Sequence, residues 1–152
     1  VPKYVLDTNV YIAANRDPHA AAALIEFYGA HLPATYLHAT VAQELLLGST
    51  TPAARRQVRD AYLRPFEARG RMVVPSYRAW VRSGELVALL TQRRVLSPGA
   101  FTRSFLDDAL LAASCREKGL TLITANTRDF AFLQQIERFE FVAPWPGGGS
   151  ER

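Results

Sequence analysis

The chain opens with an apolar strand that stops on an acid: Tyr4-Val5-Leu6, then Asp7-Thr8-Asn9. Val and Leu in such a run favour a strand covered on both faces, as in parallel sheets flanked by helices. An ionised carboxylate is costly to bury unless something compensates it. Both demands are met when Asp7 stands at the carboxyl end of a parallel strand, in the crevice where open α/β sheets bind ligands. Further acids occupy comparable junctions: Glu44 in VAQELLLG, Asp108 (beside Asp107) in FLDDALLAA, and Asp129 in LITANTRDF.

Between these acids, strand-like and helix-like stretches alternate. Strands are expected over 2–6, 34–37, 72–75, 120–124 and 139–142. Helices are expected over 9–15, 18–28 (Asp17 as cap, Pro18 at the first position, Gly29 ending it), 40–47, 52–69, 77–94, 105–118 and 127–137. Gly48-Ser49, Gly70 and Gly119 punctuate them, and Asn126 or Thr127 caps the last helix. Ser97-Pro98-Gly99 is expected to be a turn. Alternation of this kind predicts a three-layer α/β/α sandwich with a mostly parallel sheet. Residues 1–143 form one domain in this reading, and 144–152, PWPGGGSER, a flexible tail with little to pack.

Composition sets limits. Hydrophobic residues make up 49% and charged ones 21%, which is globular and not disordered. No apolar run approaches the ~20 residues a membrane span needs, and VPKYVLDTN lacks the basic and apolar regions of a signal peptide. Cys115 is the only cysteine, so no internal disulfide can form; it reads as a small core residue, and a cytoplasmic location is the expectation. His19, His31 and His38 fall at no ligand spacing and read as surface or satisfied structural residues.

Charge is unevenly spread. From Arg55 to Arg103 there are eleven arginines, no lysine and three acids, against a whole-chain charge of only +4. Arginine forks pair bidentately with phosphate, so this stretch suits a polyanion, although taken alone it is more simply a set of solvated helix faces.

Each acid has an ordinary explanation too. Asp7 could cap a helix, Asp129 could oppose a helix dipole, and Glu44 could face solvent. One constellation nevertheless explains all four placements. Converging carboxylates repel and raise one another's pKa, and Mg²⁺ or Mn²⁺, which take hard oxygen ligands, remove that conflict. Such sites suit phosphoryl transfer, with the metal activating water. Competing chemistries find no support. A haloacid-dehalogenase-like phosphatase needs a second Asp where Asn9 stands, and a receiver domain needs a lysine after a late strand, whereas Lys118 precedes its strand. G-x-S-x-G, the Walker A loop and H-E-x-x-H are all missing from the sequence.

Four blocks in order resemble the PIN-domain ribonucleases, specifically the VapC-type toxins of bacterial toxin–antitoxin pairs. They are Asp7-Thr8-Asn9 after a strand, Glu44-Leu45 with Gly48, Asp108-Ala109-Leu110-Leu111-Ala112-Ala113, and Thr124-Ala125-Asn126 with Asp129-Phe130. The resemblance implies a Mg²⁺- or Mn²⁺-dependent endoribonuclease in which Asp7, Glu44, Asp108 and Asp129 hold the metal. Thr8, Asn9, Thr124 and Asn126 would orient those carboxylates or water. Neighbouring helical residues point about 100° apart, so one of Asp107 and Asp108 faces the metal, and the family register favours Asp108. RNA as substrate, a cognate antitoxin and a homodimer are further implications. The segment 53–102 departs from compact members in being longer and richer in arginine. Two other functions stay open at this level: a PIN nuclease of RNA processing that is not a toxin, and a catalytically silent PIN-like module that binds RNA or protein.

Overall fold

A computed structural model describes residues 1–97, Gly99 and 101–147. Pro98 of the expected turn and residues 148–152 of the expected tail lie outside them. Five short strands, β1 (Tyr4–Leu6), β2 (Thr35–His38), β3 (Met72–Val73), β4 (Thr121–Ile123) and β5 (Glu140–Val142), form one sheet. Their order is β3-β2-β1-β4-β5, and every pairing is parallel. The sheet is thus wholly parallel where a mostly parallel one was expected.

Side chains alternate across β1 as a strand's two-residue period requires. Val5 points into a core shared with Leu86, Leu110, Leu122 and Phe130, while Tyr4 and Leu6 point into another with Tyr11, Phe27, Val41 and Phe66. The first core lies under α6 (Tyr77–Gln92), α7 (Arg103–Lys118) and α8 (Thr127–Gln134). The second lies under α1 (Thr8–Arg16), α2 (Pro18–His31), α3 (Ala39–Leu47), α4 (Pro52–Val58) and α5 (Arg64–Glu67). Covering both faces in this way produces the three-layer α/β/α sandwich.

Three local expectations are corrected. The helix expected to stop at Gly29 continues to His31, since an exposed glycine weakens a helix without ending it. The single helix expected over 52–69 is broken by a π-helical turn, Arg59–Leu63, where the Arg64 N–H bonds back to the Arg59 carbonyl. Pro65 explains the break: it has no N–H to give the carbonyl four residues earlier, and its ring crowds that turn. Finally, Trp145 of the expected loose tail stacks on Phe27, ring centroids 4.8 Å apart.

Gly29 provides a clean test of the first correction. A methyl group there would meet no atom within 4 Å, and the backbone is not left-handed. Gly29→Ala is expected to stabilise the protein by about 0.5–1 kcal/mol, read as a higher urea midpoint with an unchanged slope. A fall in the midpoint would place the helix end at Gly29 after all.

Candidate active site

Strand order reverses between β1 and β4: the chain leaves β1 toward β2 on one side and returns to β4 on the other. Brackets of helices diverge at such a switch point and leave a crevice at the strand ends. Asp7 follows β1 and Thr124 follows β4, so both stand at its floor.

Asp7 is only 5% exposed, and its carboxylate is held from three directions. The Thr8 N–H donates to Oδ1 at 2.8 Å, the Thr124 hydroxyl to Oδ2 at 2.8 Å, and the Asn9 amide to Oδ2 at 3.1 Å. Asn9 also bonds the Thr124 hydroxyl (3.2 Å) and accepts from the Ala125 N–H (3.1 Å), which stitches α1 to the loop after β4. Asp7 therefore caps α1, as its ordinary explanation had it, and also floors the crevice. These are not alternatives, because a helix N-terminus at a strand end satisfies both.

Asn126 caps α8 by accepting from the Asp129 N–H (3.4 Å), and its own amide donates to the Asp129 carboxylate (3.1 Å). This reciprocal bonding keeps Asp129 in the first turn. Glu44 is half-buried on α3, and Asp107 and Asp108 are adjacent on α7, the first half-buried and the second buried. Asp108 makes no side-chain hydrogen bond with the described residues.

Electrostatics bring these groups together. Burial, then the negative charges of Asp7, Asp129, Glu44 and Asp107, push the Asp108 carboxyl up to about 8. Glu44 is raised by burial and by Asp7 and Asp107, and Asp7 is raised by burial against the pull of its three hydrogen bonds. Asp107 is raised by burial and pulled back by Arg103. Asp7, Glu44, Asp129 and Asp107 thus all lie within electrostatic reach of Asp108, and Asp7 and Asp107 within reach of Glu44.

Two features went unrecognised in the sequence. Arg103 favours the ionised forms of Glu44 and Asp107, yet it looked like one more member of the basic stretch. Its position four residues before Asp107 on one helix was the available signal. Asp107, the alternative to Asp108, acts electrostatically on both Glu44 and Asp108. The remaining arginines are less uniform than the sequence suggested. Arg82 is tied to Glu137 (2.8 Å) and Glu85 (3.0 Å), Arg64 to Asp60, and Arg55, Arg69 and Arg71 to backbone carbonyls.

A hard divalent cation fits the chemistry of this donor set, which is entirely carboxylate and lacks a charge to neutralise Asp108. The buried Thr8 hydroxyl adds to the fit, since it has no hydrogen-bond partner of its own. It sits near enough to Glu44 to favour the ionised form without reaching bonding geometry. Among the described residues, no three acidic, histidine or cysteine side chains stand close enough to form a protein-only ion cage.

A parallel α/β/α domain with acids at its switch point is the class that fold and site define. The PIN-domain family model matches residues 4–134, and the chain belongs to that family. Solved structures of similar fold include FitAcB from Neisseria gonorrhoeae, at 20% identity and TM-score 0.69, covering 94% of this chain and 99% of that one. DNA-bound VapBC from Salmonella typhimurium matches at 18% identity and TM-score 0.68, over 94% and 98% of the two chains. A toxin–antitoxin complex from Klebsiella pneumoniae matches at 24% identity and TM-score 0.62, over 94% and 98%. At these identities the likeness speaks to the fold alone. No curated protein matches the sequence.

Proposed function

We propose that this chain is a divalent-metal-dependent endoribonuclease and the toxin of a toxin–antitoxin pair. The observation that carries the nuclease reading is the placement of Asp108. A buried carboxyl surrounded by four other acids, with its proton affinity raised to about 8, is costly in a protein that binds no cation there. Asp7, Glu44, Asp108 and Asp129 would hold Mg²⁺ or Mn²⁺, with Thr8, Asn9, Thr124 and Asn126 orienting them or a nearby water. When bound, the metal would supply Lewis acidity toward a phosphodiester and toward the attacking water.

The chain's own groups account for the rest. Thr124, Asn9 and the Thr8 N–H fix the Asp7 carboxylate in one orientation, so no reorganisation is needed at the moment of reaction. Without a cation the Asp108 carboxyl keeps its proton up to about 8, so binding a cation there would displace that proton. Arg103, exposed at the start of α7 beside the acids, is placed to meet a backbone phosphate as it approaches them. The toxin assignment draws on the neighbouring structures, among them a toxin–antitoxin complex from Klebsiella pneumoniae and a DNA-bound VapBC from Salmonella typhimurium. A cognate antitoxin and a homodimer are proposed for this chain on the same footing. No helix is long and apolar enough to cross a membrane among the described residues.

Purified protein incubated with total cellular RNA, including tRNA, tests the reading. Cleavage is expected with Mg²⁺ or Mn²⁺, is expected to stop with chelator, and is expected to be lost in Asp7→Asn. A metal-loaded parent that cuts no RNA, or an Asp7→Asn protein that cuts equally well, would falsify it.

A further inference from the structure

His38 ends β2, is wholly buried, and takes no part in the acidic crevice. Its ring nevertheless touches both helices that carry central acids. On one side Nδ1 accepts from the Thr40 N–H at 3.2 Å and caps α3, the helix of Glu44, while the Thr40 hydroxyl lies 2.8 Å from the same nitrogen. On the other side Nε2 lies 2.9 Å from the Ser114 hydroxyl on α7, the helix of Asp108.

The direction of each bond follows from its partners. A backbone N–H can only donate, so Nδ1 must carry a lone pair and Nε2 the hydrogen. The Ser114 proton goes to the Leu110 carbonyl at 2.9 Å, which leaves its oxygen free to accept from Nε2–H. Every polar atom of the ring is therefore used, in one tautomer only. A network of this kind gives direction where an apolar side chain would only fill space.

The two helices otherwise have little to hold them in register. α3 packs mainly on α1, α4 and β2, and α7 on α6, α8 and β4. Among the described residues, no other side-chain hydrogen bond connects them, directly or through a single residue. Helices are stiff at this length, so an anchor at Ser114 is felt six residues away at Asp108, about 9 Å along the axis. An anchor at Thr40 is likewise felt one turn on at Glu44.

We propose that His38 is a positioning residue: its buried ring braces α3 to α7 and so sets the placement of Glu44 relative to Asp108. Ser114 is the far end of the brace. The link to metal affinity rests on the nuclease reading above, whereas the brace itself does not.

Two variants cut the brace without removing the α3 cap. Ser114→Ala deletes the α7 end. His38→Asn keeps an acceptor for the Thr40 N–H but is too short to reach Ser114. Nitroxide labels on Gln43→Cys and Lys118→Cys, both exposed positions, report the α3–α7 separation by electron–electron double resonance in metal-free protein. Buried Cys115 is protected from the label. Parent protein is expected to show one narrow distance distribution, and both variants, still folded by circular dichroism, a broadened one. Calorimetric titration with Mn²⁺ is expected to show affinity weakened tenfold or more in each variant. The double variant is expected to be no worse than the poorer single one, because both cut the same link. Folded variants with the parent's distance distribution overturn the brace, and broadened distances with the parent's Mn²⁺ affinity overturn its role in placing the acids. If the parent itself binds no Mn²⁺, the nuclease reading fails and the distances alone decide the brace.

Discussion

Asp108→Asn is expected to lower RNA cleavage by roughly a thousandfold or more, the scale of several kcal/mol of lost charge stabilisation. The same change is expected to make the metal-free protein more stable. Asp108 ionises near its ordinary 3.8 when unfolded, but its folded value is about 8. Between those values the folded state holds a proton that the unfolded state has lost, so stability falls as pH rises through this window. Asparagine copies the protonated shape and carries no charge, which removes the penalty. The gain should be near zero at pH 4 and reach about 4 kcal/mol by pH 7. Urea unfolding of parent and variant in chelator, at several pH values, measures it directly. A variant that loses cleavage without gaining stability would show Asp108 to be catalytically placed but not electrostatically strained. Saturating Mg²⁺ should stabilise the parent more than the variant, because only the parent regains a counter-charge.

Acid stability yields the second large effect, and it has the opposite sign. His38 is lowered from 6.5 to about 4 by burial. Protonation would put a hydrogen on Nδ1 and set it against the Thr40 N–H. The unfolded state therefore binds a proton between about pH 6.5 and 4 that the folded state refuses, and stability is lost as pH falls through that window. The loss is about 3 kcal/mol over the full interval. In the parent, Asp108 contributes an opposing slope over the same range, so the two largely cancel. Asp108→Asn unmasks the histidine term. Its stability should drop visibly from pH 6.5 to 4, whereas adding His38→Gln, which has nothing to titrate there, should flatten the curve. Equal slopes with and without His38 would show that the ring is not the group refusing the proton.

These linked effects explain why the site was visible in the sequence while its energetics were not. Asp7 and Asp129 stood out as acids at element starts, and Glu44 and Asp108 as acids inside otherwise apolar helix stretches, both local patterns. Thr124, Asn9 and Asn126 followed from the same motifs. The structure brings Asn9 and Thr124 to opposite ends of one hydrogen bond, 3.2 Å long. Asp107 and Arg103 were harder to read. Whether a helical residue borders a crevice depends on the helix's rotation against its neighbours, and periodicity within one helix does not report that rotation. His38 shows the same limit more sharply. The sequence leaves it as a surface or a satisfied structural histidine, and the structure shows the second. Its partners, however, are two and seventy-six residues away, and only the second makes it a link between helices.

Fold errors were of a similar kind. Gly29 and the 52–69 stretch were read from local propensity. At Gly29 the neighbouring turns carry the helix through, and near Pro65 a missing N–H is absorbed by a wider turn instead of a stop. Trp145, in a stretch that reads as tail, stacks on Phe27, a contact that no local pattern reports.

The sequence by itself determined the class of fold and singled out the candidate acids, since strand composition, helix caps and charge placement act over a few residues. Tertiary structure alone decided which acids share a field and which one stands at its centre. It also decided that a buried imidazole joins the helices bearing two of them. Desolvation and charge–charge interaction depend on distance through space, and the strand that ends on Asp7 acquires both only when β4 is laid beside it.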